Sequence, residues 1–334
     1  MDIFYSCIRF FIRISLKAYF SKIELTGLEH IPGNTPLLVA PNHQNAFLDA
    51  LLVGAFIPIP LYFLTRSDVF TWWSRPILKL LHMMPVYRIR DGYSSLHQNE
   101  TIFKTCGRLF SKGESVLIFA EGNHGRDYYL RPLTKGAARL AIQSQTEMDK
   151  DLMVLPVGLN YFRHTQPGTK VILSFGEPIS VNPYVNTWHN NSGKGLIKMR
   201  NAISEGMKST LIIPEITADY ELRKARVFNT KNEGLNFEQL KNLDIESVDE
   251  VTDKSSWHFI PKLLNPLPFL VIWLVLKDIE DTVFHASLKF GIGLLLFPVW
   301  WGIVFATLFL TVGIFWAAGI VISIIISLFI SYKW

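Results

Sequence analysis

The chain has 334 residues, enough for one large domain or two ordinary ones, yet only 18% are charged while 49% are hydrophobic and 13% aromatic. Soluble chains carry about 25% charged residues, so this shortfall and the mean hydropathy of +0.23 need a local cause. A net charge of +5 excludes a disordered polyelectrolyte and gives no ground for a nucleic-acid partner; two cysteines, Cys7 and Cys106, exclude a disulfide scaffold or a four-cysteine zinc site.

The first segment reads IFYSCIRFFIRISLKAYF. Arg9, Arg13 and Lys17 recur every four residues, which places them along one stripe of a helix, with Phe4, Ile8, Phe11, Ile12, Leu16 and Phe20 around the rest. No unbroken apolar centre or small-residue cleavage site marks a signal peptide. Residues 1–20 are expected to form a basic amphipathic helix on an anionic membrane surface. A helix covering the protein's own core is the alternative.

From residue 21 to 213 short β-rich runs (KIELTGLEHI, TPLLVA, PVYRI, SVLIFA, MVLPVGLNYF, KVILSF) alternate with helical patterns such as ETIFKTCGRLFSK, LTKGAARLAIQSQ and GLIKMRNAISEGMKSTLI. This alternation predicts an α/β domain, a largely parallel sheet with flanking helices. NNSGKG reads as a loop, and it lacks the upstream glycine of a phosphate loop. Residues 214–260 form a polar connecting segment.

Residues 261–289 contain the apolar stretch Leu263 to Leu276, which is interrupted by Pro266 and Pro268. It is too short to span a bilayer, so it is interfacial or re-entrant, or else a helix packed on the domain. From Phe290 to Tyr332 no Asp, Glu, Lys or Arg occurs. Residues 290–332 have room for two transmembrane helices of about 20 residues each, turning near Phe309 to Gly313. Lys289 and Lys333 then return to one side, which the positive-inside rule assigns to the cytoplasm. The charge deficit thus has an address: residues 1–289 hold all charged residues but Lys333.

Three clusters follow predicted strands, where open α/β sheets place ligands. PNHQNAFLDA offers His43 and Asp49, six positions apart. On one regular helix they would point apart, so they meet only if His43 lies on the loop and Asp49 on the helix just after it. Asp49 would then hold one imidazole nitrogen and leave the other as a base. MMPVYRIRDG puts Arg88 and Arg90 on one strand face, suited to a phosphate or carboxylate or else an exposed edge. SVLIFAEGNHGRDYYLRPLTKGAARLA runs from a strand through Glu121 and Gly122 into a helix headed by Lys135. Arg139 shares that helix's face, and Arg126 and Arg131 add positive charge from the loop.

In this order and spacing the clusters resemble the glycerolipid acyltransferases of the glycerol-3-phosphate and lysophosphatidate type. Asn42, His43 and Asp49 match the first block, although five residues separate His and Asp here and the family usually has four. That spacing is similar to the variant in fungal glycerol-3-phosphate acyltransferases. Arg88 matches the second block, with His82 at its usual leading glycine. The third, Phe119-Ala120-Glu121-Gly122-Asn123-His124-Gly125, lacks the block arginine, with Arg126 nearby. Pro156 in VLPVG and the phrase FGEPI match the family's later features.

The resemblance implies a direct acyl transfer in which His43 is the base and Asp49 orients it. Glu121 and Gly122 shape the acceptor pocket, and Arg88, Lys135 and Arg126 bind the acceptor phosphate. It implies no metal and no cofactor, with acyl-CoA or acyl-carrier protein as the thioester donor. The acceptor is glycerol phosphate or a lysophospholipid. The partner is the lipid bilayer, not nucleic acid, and an integral membrane protein with its catalytic domain on the cytoplasmic face is expected. Two alternatives stand beside it: a phospholipid transacylase, and a membrane scaffold on a decayed acyltransferase domain.

Overall fold

The computed structural model of the chain describes residues 3–87, 93–243 and 259–331. Helix α1 (Ile3–Tyr19) leads into β1 (Lys22–Thr26), β2 (Leu37–Pro41), α2 (Phe47–Phe56), β3 (Leu61–Arg66), the short α3 (Ser74–Leu80) and β4 (Met83–Val86). Next come α4 (Tyr93–Ser111), β5 (Ser115–Leu117), α5 (Gly136–Thr146), β6 (Met153–Tyr161), β7 (Lys170–Phe175) and β8 (Ile179–Ser180). Among the described residues, the helices that follow are α6 (Asn182–Asn190), α7 (Ser192–Ser209), α8 (Tyr220–Val227), α9 (Phe237–Lys241), α10 (Phe259–Leu264), α11 (Pro266–Leu276), α12 (Val283–Val312) and α13 (Ile314–Ser331).

The strands form one eight-stranded sheet in the order β1-β7-β6-β2-β5-β3-β4, with β8 also paired to β6. From β6 to β4 all neighbours are parallel, while β7 and β8 run antiparallel to β6. The α/β class and the largely parallel sheet are therefore as expected. Strand β3 was not among the anticipated strands, and NNSGKG is not a loop. Helix α7 starts at Ser192, and the Asn191 side chain accepts the Lys194 N–H at 2.9 Å as its cap.

Alternation along β2 divides the core. Leu37 and Val39 face a layer built from α1, α2 and the first turns of α12. Leu38 and Ala40 face α4, α5 and α7. A smaller cluster gathers Phe162 and Ile172 with Tyr220, Val227, Phe237 and Leu240, so α8 and α9 cover the β7 side of the sheet.

Helix α1 departs from the sequence expectation. Its arginine stripe turns inward: Arg13 donates through Nε and Nη2 to the Ala55 carbonyl at 2.8 and 2.6 Å, and Arg9 donates to the Ile57 carbonyl. The last carbonyls of α2 lack partners within their own helix, and cations at a C-terminus satisfy both them and the helix dipole. The outward face of α1 is mainly apolar, with Ile3, Phe4, Phe10, Phe11 and Ile14 exposed beside Lys17.

Among the described residues, α12 is the helix long and apolar enough to cross a membrane. Its buried positions, Val283, Ala286, Ser287, Phe290 and Gly293, all fall in its first half. Gly313, at φ +84°, breaks the helix, within the stretch where the turn was expected. After it α13 doubles back, so that Ile320 and Ile324 line a groove with Leu264, whose carbonyl accepts from Trp300 of α12.

Candidate active site

Three neighbouring strands, β6, β2 and β5, deliver their C-terminal ends to one place. Asn42 fastens two of them: its side-chain amide donates to the Leu159 carbonyl at 3.1 Å, and its carbonyl accepts the Leu159 N–H at 2.7 Å. His43 follows on the loop, and α2 begins at Phe47, so Asp49 lies in its first turn. This is the arrangement that lets two residues six apart meet. His43 Nδ1 lies 2.8 Å from Asp49 Oδ2.

Within that interval Ala46 has a φ of 44°, unusual for a residue with a Cβ. The turn points the Gln44 and Asn45 N–H groups at Asp49 Oδ2, each at 2.7 Å. Asp49 Oδ1 accepts the Tyr161 hydroxyl at 2.6 Å. With its carboxylate accepting from every side, Asp49 leaves Nδ1 as the protonated ring nitrogen, and the lone pair sits on Nε2. Asp49 is fully buried, whereas the His43 side chain keeps 12% exposure. Its ring stacks on Phe119, with centroids 3.7 Å apart and planes 12° from parallel.

Glu121 organises the other side of the loop. Its Oε2 accepts the His43 N–H at 3.0 Å and Arg131 Nη2 at 2.6 Å, and its Oε1 accepts the Arg131 N–H at 3.1 Å. The same Nη2 donates to the His43 carbonyl at 3.1 Å and to the Asn123 carbonyl. The pair thus grips both backbone polar groups of His43. Burial pushes the Glu121 carboxyl above its ordinary value, opposed by Arg131 and by the two backbone donors. Gly122 sits at φ +72°, and a Cβ there would lie 2.7 Å from Thr134 Cγ2, so only glycine fits this turn.

Behind the dyad, His164 Nε2 donates to Gln44 Oε1 at 3.1 Å, and Gln44 Nε2 donates to the Asp127 carbonyl at 2.7 Å. Burial lowers His164 to about 3, so it stays neutral and holds a fixed orientation.

Of the expected site residues, His43, Asp49, Glu121 and Gly122 come together. Both Glu121 oxygens are occupied by the protein itself, which makes it a holder of the His43 loop. Lys135 heads α5, and it and Arg126 are exposed on the same loop–helix unit. Arg88 and Arg90 lie outside the described residues. Sequence reasoning missed Tyr161, Gln44 and His164, and it read Arg131 only as loop charge. Position 161 lies 112 residues from its carboxylate partner, and no local pattern marks it.

The α/β sheet thus presents an Asn-His-loop-helix-Asp motif beside a Glu-Gly turn. Residues 22–160 match the family described as Acyltransferase. The chloroplastic 1-acyl-sn-glycerol-3-phosphate acyltransferases of Brassica napus and Arabidopsis thaliana are each 28% identical to it over 164 and 163 residues. Each match covers 47% of this chain and 43% or 41% of the relative, so the chain spans less than half the length of either relative. The crystal structure of the 1-acyl-sn-glycerophosphate acyltransferase of Thermotoga maritima aligns with a TM-score of 0.46 at 18% identity, covering 62% of this chain and 78% of that one.

Proposed function

We propose that the protein is a membrane-bound O-acyltransferase of phospholipid biosynthesis. It moves a fatty acyl group from acyl-CoA or acyl-carrier protein to a hydroxyl of glycerol-3-phosphate or 1-acylglycerol-3-phosphate. The observation that carries this reading is the 2.8 Å contact of His43 Nδ1 with the buried Asp49 carboxylate. His43 Nε2 takes the proton of the acceptor hydroxyl as that oxygen attacks the thioester carbonyl. The C–S bond then breaks, and the thiolate leaves with the proton returned by the imidazolium. Asp49 keeps the ring in the required tautomer and faces the positive charge as it forms.

General-base action accounts for about 10²–10⁴-fold of the rate, and orientation and charge stabilisation supply the rest. Arg88, Arg126 and Lys135 are assigned to the acceptor phosphate, supported for Lys135 by its place at the head of α5. The names of the plant relatives support a glycerophosphate acceptor, and the five-residue interval between His43 and Asp49 supports glycerol-3-phosphate itself.

Membrane attachment is supported by the exposed apolar length of α12. Its final 20 residues, from Gly293 to Val312, reach about 30 Å at 1.5 Å per residue, the thickness of a hydrocarbon core. The exposed apolar face of α1 supports a second, interfacial attachment. The domain then lies on the cytoplasmic side, beside the bilayer that supplies or receives the acyl chains.

The test is an acceptor panel with protein purified in detergent. Glycerol-3-phosphate, 1-acylglycerol-3-phosphate and a lysophospholipid are offered with acyl-CoA or acyl-carrier protein, and thiol release and product are followed. Thioester-dependent acylation of a glycerophosphate, reduced at least about 10²-fold by His43→Ala, is expected. Acyl transfer between phospholipids without a thioester donor would replace this reading with a transacylase.

A further inference from the structure

The start of α2 is held from outside the matched acyltransferase segment. The first N–H groups of a helix lack i−4 partners, and Ala46, at the cap position, has no side-chain acceptor to offer them. The Leu48 N–H closes the turn on the Asn45 carbonyl at 3.0 Å, and Ser287 of α12 braces both of its ends. Its Oγ accepts the Leu48 N–H at 3.1 Å, across 239 residues of sequence, and its own O–H donates to the Asn45 carbonyl. Ser287 is fully buried. One hydroxyl thus bridges the two backbone groups that flank the strained Ala46, in the interval that carries His43 to Asp49.

The surrounding contacts keep that hydroxyl in place. Phe284, one turn earlier, meets the His124 ring edge-on at 4.8 Å, and His124 meets His43 edge-on at 5.6 Å. Gly291, one turn later, lies where a Cβ would be 3.1 Å from Phe47, so α12 rests directly on the first residue of α2. Lys289 Nζ donates to the Thr165 carbonyl at 2.8 Å, beside His164. Tyr19 of α1 packs edge-on against Phe290 with centroids 5.5 Å apart. Asp49 thus ties the turn from inside, through the Gln44 and Asn45 N–H groups, and Ser287 ties it from outside.

We propose that Ser287 is a positioning residue for acyl transfer: its hydroxyl fixes the Asn45–Leu48 turn so that Asp49 and His43 meet in register. The first turns of α12 are thereby part of the active site. This rests on the acyl-transfer reading above. Displacing reacting groups by about 1 Å costs on the order of 10²-fold in rate, whereas binding of acceptor and donor elsewhere in the site is untouched.

The experiment compares full-length wild type, Ser287→Ala, Ser287→Thr and Ser287→Val in detergent, with His43→Ala as the inactive reference. Thr and Val have the same shape and differ in the hydroxyl alone. Val and Ala are expected to lower kcat by about 10–100-fold with KM within about threefold, and Thr to recover at least tenfold over Val. Size-exclusion profiles and thermal midpoints establish folding, and Ser287→Ala serves where Val folds poorly. Equal kcat for Thr and Val, or kcat for a folded Ser287→Ala within twofold of wild type, overturns the proposal alone. A wild type no more active than His43→Ala on every acceptor overturns the acyl-transfer reading and this proposal with it.

Discussion

Tyr161→Phe isolates the contribution of one oxygen to the dyad. The hydroxyl reaches Asp49 Oδ1 at 2.6 Å from the end of β6, and Tyr161 is fully buried. Burial, reinforced by the Asp49 charge, pushes the phenol well above its ordinary value, so it remains a donor at any working pH. Phe fits the same space and leaves Oδ1 without that donor, while His43 and the Gln44 and Asn45 N–H groups still hold Oδ2. A hydrogen bond to a charged group contributes about 1.5–3 kcal/mol. At about 1.4 kcal/mol per tenfold, loss of that restraint in the transition state lowers kcat about 10–150-fold with little change in KM. The assay is a double-mutant cycle with Asp49→Asn, read as kcat. If Tyr161 acts through Asp49, the double variant is little slower than Asp49→Asn alone, and the coupling exceeds about 1 kcal/mol, as expected for residues in contact. Effects that add to within about 0.5 kcal/mol would refute the reasoning, because Tyr161 would then act by another route.

Glu121→Gln leaves Arg131 without its buried counter-ion and sets a donor against the His43 N–H or the Arg131 backbone. Breaking a buried pair from one side costs about 3–5 kcal/mol, so the thermal midpoint should fall clearly. Adding Arg131→Met should recover part of the loss, and a single variant as stable as wild type would count against the hub. His164, neutral in the fold with its value lowered to about 3, contributes stability that is complete above the unfolded value of about 6.5 and is lost as pH falls toward 3. Between pH 7.5 and 5.5 this group alone removes about 1.4 kcal/mol. Urea unfolding at the two pH values should show a smaller drop for His164→Gln, and an unchanged drop would assign the pH dependence elsewhere.

What the sequence revealed follows the range of the interactions. The strand-loop-helix passage through His43 and Asp49 is local, and helical geometry alone required one residue on the loop and the other on the helix. Tyr161, His164 and Ser287 reach the same few ångströms from distant elements, and periodicity does not register contacts across 112 or 239 residues. In α1 the four-residue spacing put Arg9 and Arg13 on one stripe. The direction of that stripe depends on the α2 carbonyls it meets, which no pattern within α1 contains. Strand β3 follows Ile57-Pro58-Ile59-Pro60, where two prolines and a continuous apolar run hide the change from helical to strand period. Arg131 resembled other loop charges until Glu121 gave it a partner.

Helix α12 continues from the Ser287 contact through Pro298 to Val312. Each residue of an α-helix advances about 100°, so the azimuth of every outer side chain is set by counting from that serine. One residue inserted after Gly293 would leave Ser287 and Phe284 in place and swing the outer helix by about 100°. Trp301, whose Nε1 donates to Asn265 Oδ1 at 2.9 Å, would be carried off its partner. The outer part of α12 is therefore in phase with the His43–Asp49 turn, and a change in residue count between Ser287 and Trp301 would break one contact or the other.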